Sequence, residues 1–89
     1  KKEYVIAKQL LKSGTSIGAN VKEAVRGQSK ADFSAKMNIA LKEASETECW
    51  LDILHATDYI SDKEFVSING DLTEISKILT SIVKTSLND

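Results

Sequence analysis

Between Phe33 and Leu54 the chain places apolar or small residues at alternating steps of four and three: Phe33, Met37, Ala40, Ala44, Thr47, Leu51 and Leu54. A seam of this spacing, held for three heptads, fits an α-helix and not a strand, whose faces alternate every second residue. No proline interrupts it, or any other part of the 89 residues, and glycine occurs only four times. A proline-free chain rich in Ala, Leu, Ile, Lys and Glu favours long helices over sheet.

The segments on either side repeat the pattern. Ile6, Leu10, Ile17, Val21 and Ala24 mark a helix over about 3–26, closed by Gly27. Ser29 with Asp32 resembles a capping box and opens the second helix, about 29–59. Ser61-Asp62-Lys63-Glu64 is a full capping box for a third helix over about 61–87. Its seam is Phe65, Ile68, Leu72, Ile75, Leu79 and Ile82, and the next seam position is the polar Ser86. At about 1.5 Å per residue the last two helices each run on the order of 40 Å. The short connections near Gly27-Gln28 and Tyr59–Ser61 make successive helices antiparallel neighbours. Eighty-nine residues suffice for one domain, 1–89, with one modest core. The expected fold is an all-α up-down helical bundle. The middle helix has a second apolar stripe, Ile39, Trp50, Ile53 and Ile60, so it is expected to touch neighbours on two sides, one of them another subunit. The chain begins Lys-Lys-Glu-Tyr, with no cap before an apolar pattern already running, and a further helix before Lys1 or a partner chain in its place is expected.

Within the first helix the stretch Ser13–Ala24 is unusually rich in poor helix formers: Ser13, Gly14, Thr15, Ser16, Gly18 and Asn20. Gly14 and Gly18 lie four apart on one side, where they would admit a close neighbour or a bend. Ser16, Asn20 and Glu23 share another face. They are expected to set packing register, as buried polar side chains do, or else to line a polar groove.

The charge balance of −1 hides an asymmetry. Through Lys42 there are nine basic and three acidic residues, and from Glu43 onward three lysines and ten acids. In a hairpin of helices this gives complementary neighbouring faces. The alternative is a nucleic-acid surface on the first helix, with Lys8, Lys12, Lys22 and Arg26 as its candidate phosphate contacts. The sequence pI near 5.8 argues against a dedicated nucleic-acid binder.

Catalytic signals are sparse. Cys49 and His55, the one cysteine and one histidine, are about 600° apart around a helix, which excludes a nucleophile pair within it. The Glu-x-x-His motif of di-iron bundles does not occur. Glu43, Glu46, Glu48 and Asp52 read as a solvated face countered by Lys22, Lys36 and Lys42. The expectation is a non-enzymatic protein with no metal, cofactor, small-molecule substrate or membrane partner. With a single cysteine, no visible signal peptide and no span of about 20 apolar residues, the expected location is the cytoplasm.

Several of these motifs together resemble a known family. They are Gln9-Leu10-Leu11-Lys12-Ser13-Gly14-Thr15-Ser16-Ile17-Gly18-Ala19-Asn20-Val21 with Glu23-Ala24, then Ser29-Lys30-Ala31-Asp32-Phe33. Ile39-Ala40-Leu41-Lys42-Glu43-Ala44, Glu46-Thr47 and Trp50-Leu51 complete the set. They are similar to the bacterial four-helix-bundle proteins encoded in intervening sequences of 23S ribosomal RNA genes. The resemblance implies a left-handed up-down four-helix bundle whose first helix this chain lacks, assembled as a ring-like homopentamer. It also implies a relation to the accessory variability proteins of diversity-generating retroelements, which share the bundle and are strongly basic. The function expected on both grounds is a homo-oligomeric scaffold or adaptor, with Gly14, Ser16, Gly18, Asn20 and Glu23 setting packing and Trp50 and Ile53 at an oligomer contact. The alternative is an accessory protein that binds RNA or DNA beside a reverse transcriptase.

Overall fold

The computed structural model of the protein describes the backbone of residues 2–27 and 29–88 and the side chains of 4–27 and 29–86. Among these are three helices, α1 (Lys2–Val25), α2 (Lys30–Ala56) and α3 (Asp62–Asn88). The expected all-α architecture is present, but the four-helix bundle is not. The apolar helical periods of the described residues are used up by three helices, and these do not close on themselves. Gln28, in the expected first connection, lies outside the described residues, as does Lys1.

Cross-helix pairs fix the topology. Ser13 meets Thr47 and Glu23 meets Lys36, so position numbers on α1 fall as those on α2 rise. Ser34 meets Ser86 and His55 meets Asp62, which sets α3 antiparallel to α2 in the same way. Both outer helices pack on α2, while no Cα of α1 comes within 8 Å of one in α3. The described residues extend 44 × 22 × 14 Å. The shortest dimension is little more than one helix diameter, so the helices form a layer with α2 in the middle.

The core lies where that layer is thickest. All but one of the seven α2 seam residues are buried, Phe33 being half-buried at the helix start. Ala40, Ala44 and Leu51 are fully shielded, and Ile17, Ala24, Leu72, Leu79 and Val83 pack on them from the two sides. Alanines at the centre of α2 let both neighbours approach closely enough to seal it. On α3 the seam turns partly outward, with Ile68 and Ile75 still about two-fifths exposed (42% and 40%).

Helix ends follow local chemistry. Ser29 Oγ accepts from the Asp32 backbone N–H (3.1 Å), and the Ser61 box is reciprocal. The second helix stops at Ala56, three residues before the expected end. There Asp58 takes φ 59°, and Asp58 N–H and Tyr59 N–H donate to the carbonyls of His55 and Leu54 (both 3.0 Å). That is a Schellman stop, made with aspartate where glycine is usual. Gly27 behaves differently from expectation. None of the described glycines has positive φ, and at Gly27 the constraint is space, since a Cβ would stand 3.0 Å from the Ala24 carbonyl oxygen and 3.3 Å from Asp32 Cβ.

Candidate functional site

The Ser13–Ala24 stretch divides into two faces once α2 is in place. One face meets α2. Ser13 and Thr47 are buried, and Thr47 Oγ1 lies 2.9 Å from Ser13 Oγ and 2.7 Å from the Glu43 carbonyl oxygen. Ser13 Oγ in turn reaches the carbonyls of Gln9 (3.1 Å) and Leu10 (3.2 Å). With one proton each, the Thr47 hydroxyl donates to Ser13 Oγ across the interface while Ser13 donates to its own backbone, or Thr47 turns to the Glu43 carbonyl instead; no buried polar side-chain atom among the described residues lacks a partner.

The residues expected to set register are placed differently. Asn20 Nδ2 donates to the Ser16 carbonyl oxygen within α1 (2.9 Å), and Glu23 pairs with Lys36 across to α2 (3.0 Å) at a site open to solvent. The buried inter-helix hydrogen bond therefore belongs to Ser13 and Thr47. Its signal in the sequence was a hydroxyl residue, Thr47, standing within an apolar seam. Gly14 and Gly18 have nothing within 4 Å of where a Cβ would stand, so neither marks a close helix–helix contact among the described residues. Gly14 instead lines an open apolar groove of about 340 Å³ with Leu10, Leu11, Thr47 and Ile68, between α1 and α3.

Beside the buried hydroxyls, Gln9, Lys12, Ser13, Ser16, Glu43 and Glu46 line a small polar notch of about 170 Å³. Lys12 shares this notch with Glu43 and Glu46, and of the countercharges expected for the glutamates, Lys22, Lys36 and Lys42, Lys36 is occupied by Glu23. Trp50 and Ile53 are half-buried and Ile39 is 41% exposed, so the second α2 stripe is incompletely covered. A larger groove, about 430 Å³, runs between α2 and α3 with Phe33 and Ile82 at its base and Lys30, Ser81, Thr85 and Ser86 around it.

His55 and Cys49 serve separate surroundings. The His55 ring stacks on Phe65 (centroids 4.0 Å apart, 9° between planes), and its Nε2 lies 2.7 Å from Asp62 Oδ1. Cys49 is exposed. Among the described residues, no three His, Cys, Asp or Glu side chains gather as a metal site would require. No described helix is long and apolar enough to cross a membrane. At the start of α3 the Ser61 backbone N–H, then its hydroxyl, hold the Glu64 carboxyl below its ordinary range.

The comparisons with known proteins agree with one another. A crystal structure of a protein of unknown function from the S23 ribosomal protein family of Bacteroides thetaiotaomicron superposes with a TM-score of 0.88 and 60% identity. That match covers 90% of this chain and 71% of the other. No curated protein matches. The family model described as 23S rRNA-intervening sequence protein matches residues 1–81, across all three helices, and the chain belongs to that family.

Proposed function

We propose that the protein is a non-enzymatic, cytoplasmic helical scaffold that works as a homo-oligomer, with the pentamer implied by its family resemblance as the assembly. The observation that carries this reading is the apolar surface the three-helix layer leaves open. Leu11 and Val25 on α1 are 68% and 73% exposed, and Ile78 on α3 is 55% exposed beside Ile68 and Ile75. Apolar side chains concentrated on one small chain in this way mark an association surface. Light scattering coupled to size exclusion tests it: a multiple of the protomer mass at micromolar concentration is expected, and a monomer overturns it. Ile75→Lys and Ile78→Lys are expected to lower the mass if this face is used.

A second reading, a nucleic-acid-binding accessory protein, is favoured by the separation of charge along the molecule. Titration of RNA and DNA with salt tests it, since phosphate contacts weaken steeply as salt rises.

A further inference from the structure

Antiparallel packing sorts the charges by end. On α2 the sign changes along the helix, from Lys30, Lys36 and Lys42 to Glu46, Glu48 and Asp52. Folding α1 back brings Lys22 and Arg26 beside the basic half, and folding α3 back adds Lys77 and Lys84. The half at the α1–α2 turn (17–26, 30–43 and 77–86) then carries seven basic and three acidic side chains. The opposite half (4–16 and 44–76) carries three basic and eight acidic ones. The separation lies along the 44 Å axis. One of the three acids in the basic half, Glu23, is already paired with Lys36.

Lys8 and Lys12, half of the basic set expected on α1, fall in the acidic half. Lys12 shares its notch with Glu43 and Glu46, and the Lys8 ammonium stands 5.7 Å over the Tyr4 ring. At the other end Lys22, Arg26 and Lys30 are exposed, and Lys30 borders a groove whose rim adds the exposed hydroxyls of Ser81 and Thr85. Lys77 and Lys84 line the next groove along α3 with Ser76, Thr80 and Ser81, where Glu48 is the acid present. Ammonium, guanidinium and hydroxyl donors are the groups that contact phosphate oxygens without reading bases.

We infer that the α1–α2 turn end, through Lys22, Arg26 and Lys30, is a surface for the phosphodiester backbone of nucleic acid. The inference rests on the nucleic-acid reading above and relocates its contacts. Binding is end-on and independent of base sequence, because the acidic half repels the same polymer and keeps it from lying along α1.

Fluorescence anisotropy with a short labelled single-stranded RNA, and in parallel a DNA duplex, tests the placement. Wild-type protein is expected to bind at low salt, with log affinity falling against log salt at a slope of roughly −2 for about three contacts on a single strand. K22E/R26E/K30E is expected to weaken binding by about tenfold or more, and K8E/K12E by less than about threefold. K22Q/R26Q/K30Q gives the same order with a smaller charge change, and circular dichroism verifies that each variant folds. A larger loss in K8E/K12E, or equal losses in both sets, overturns the placement and leaves the nucleic-acid reading standing. No binding to RNA or DNA at low salt overturns both. Equal affinity for polyglutamate assigns the end to acidic proteins and overturns the inference. RNA bound more tightly than the duplex, or the reverse, identifies which polymer supplies the phosphates.

Discussion

Thr47 Oγ1 lies 2.9 Å from Ser13 Oγ across the α1–α2 interface, with both side chains buried. Each hydroxyl has a backbone carbonyl as a second partner, so removing either one leaves the other satisfied. Ser13→Ala and Thr47→Val are each expected to cost about 1 kcal/mol of stability. The double variant is expected to cost less than the sum, with a coupling of roughly 0.5 kcal/mol or more in a double-mutant cycle from urea denaturation. Strict additivity would show that the contact across the interface contributes nothing.

Leu51 is fully buried at the centre of the layer, where both outer helices converge on α2. Leu51→Ala is expected to destabilise by about 3 kcal/mol, through lost burial and the cavity left behind. Ala44→Leu, two turns away in the same seam, is expected to cost about 1–3 kcal/mol for the opposite reason, overpacking. Thermal melts followed by circular dichroism measure both.

Asp58 is the described non-glycine residue with positive φ. A side chain there costs about 1 kcal/mol relative to glycine, because its Cβ crowds the backbone. Asp58→Gly is expected to raise stability by up to about 1 kcal/mol in chemical denaturation, the greater freedom of glycine in the unfolded chain offsetting part of the gain. A decrease would show that the Asp58 side chain has a stabilising role of its own.

Glu64 gives the fold a pH-dependent component. Its folded carboxyl titrates below the ordinary 4.5 because the ionised form accepts from the Ser61 N–H and hydroxyl. The charged form is therefore favoured by folding. The stabilisation is fully present above the unfolded value and is lost as pH falls through the lowered folded value. Melting temperatures from about pH 6 down to about pH 3 are expected to fall less steeply in Glu64→Gln than in the wild type. Parallel curves would remove Glu64 from the acid response.

The helices and their caps were legible because their causes are local. The seam from Phe33 to Leu54 and the Ser29 and Ser61 caps follow from side-chain spacing and from hydrogen bonds three residues apart, and the antiparallel order follows from the short connections. The end of α2 was less so. Its apolar pattern runs on to Ile60, but a left-handed Asp58 stops the helix first, and aspartate does not announce that conformation as glycine does.

Tertiary structure alone decided which polar residues of Ser13–Ala24 face α2. A helix places Ser13, Ser16, Asn20 and Glu23 on adjoining faces, and only the position of α2 buries Ser13 while leaving Glu23 in solvent. It also decided that Gly14 and Gly18 face open space, since their spacing permits a close neighbour without supplying one. Charge followed the same division. The sequence by itself determined a basic first half and an acidic second half. Folding α3 back against the start of α2 turned that order along the chain into two ends of one molecule, because antiparallel helices bring residues far apart in sequence to the same level.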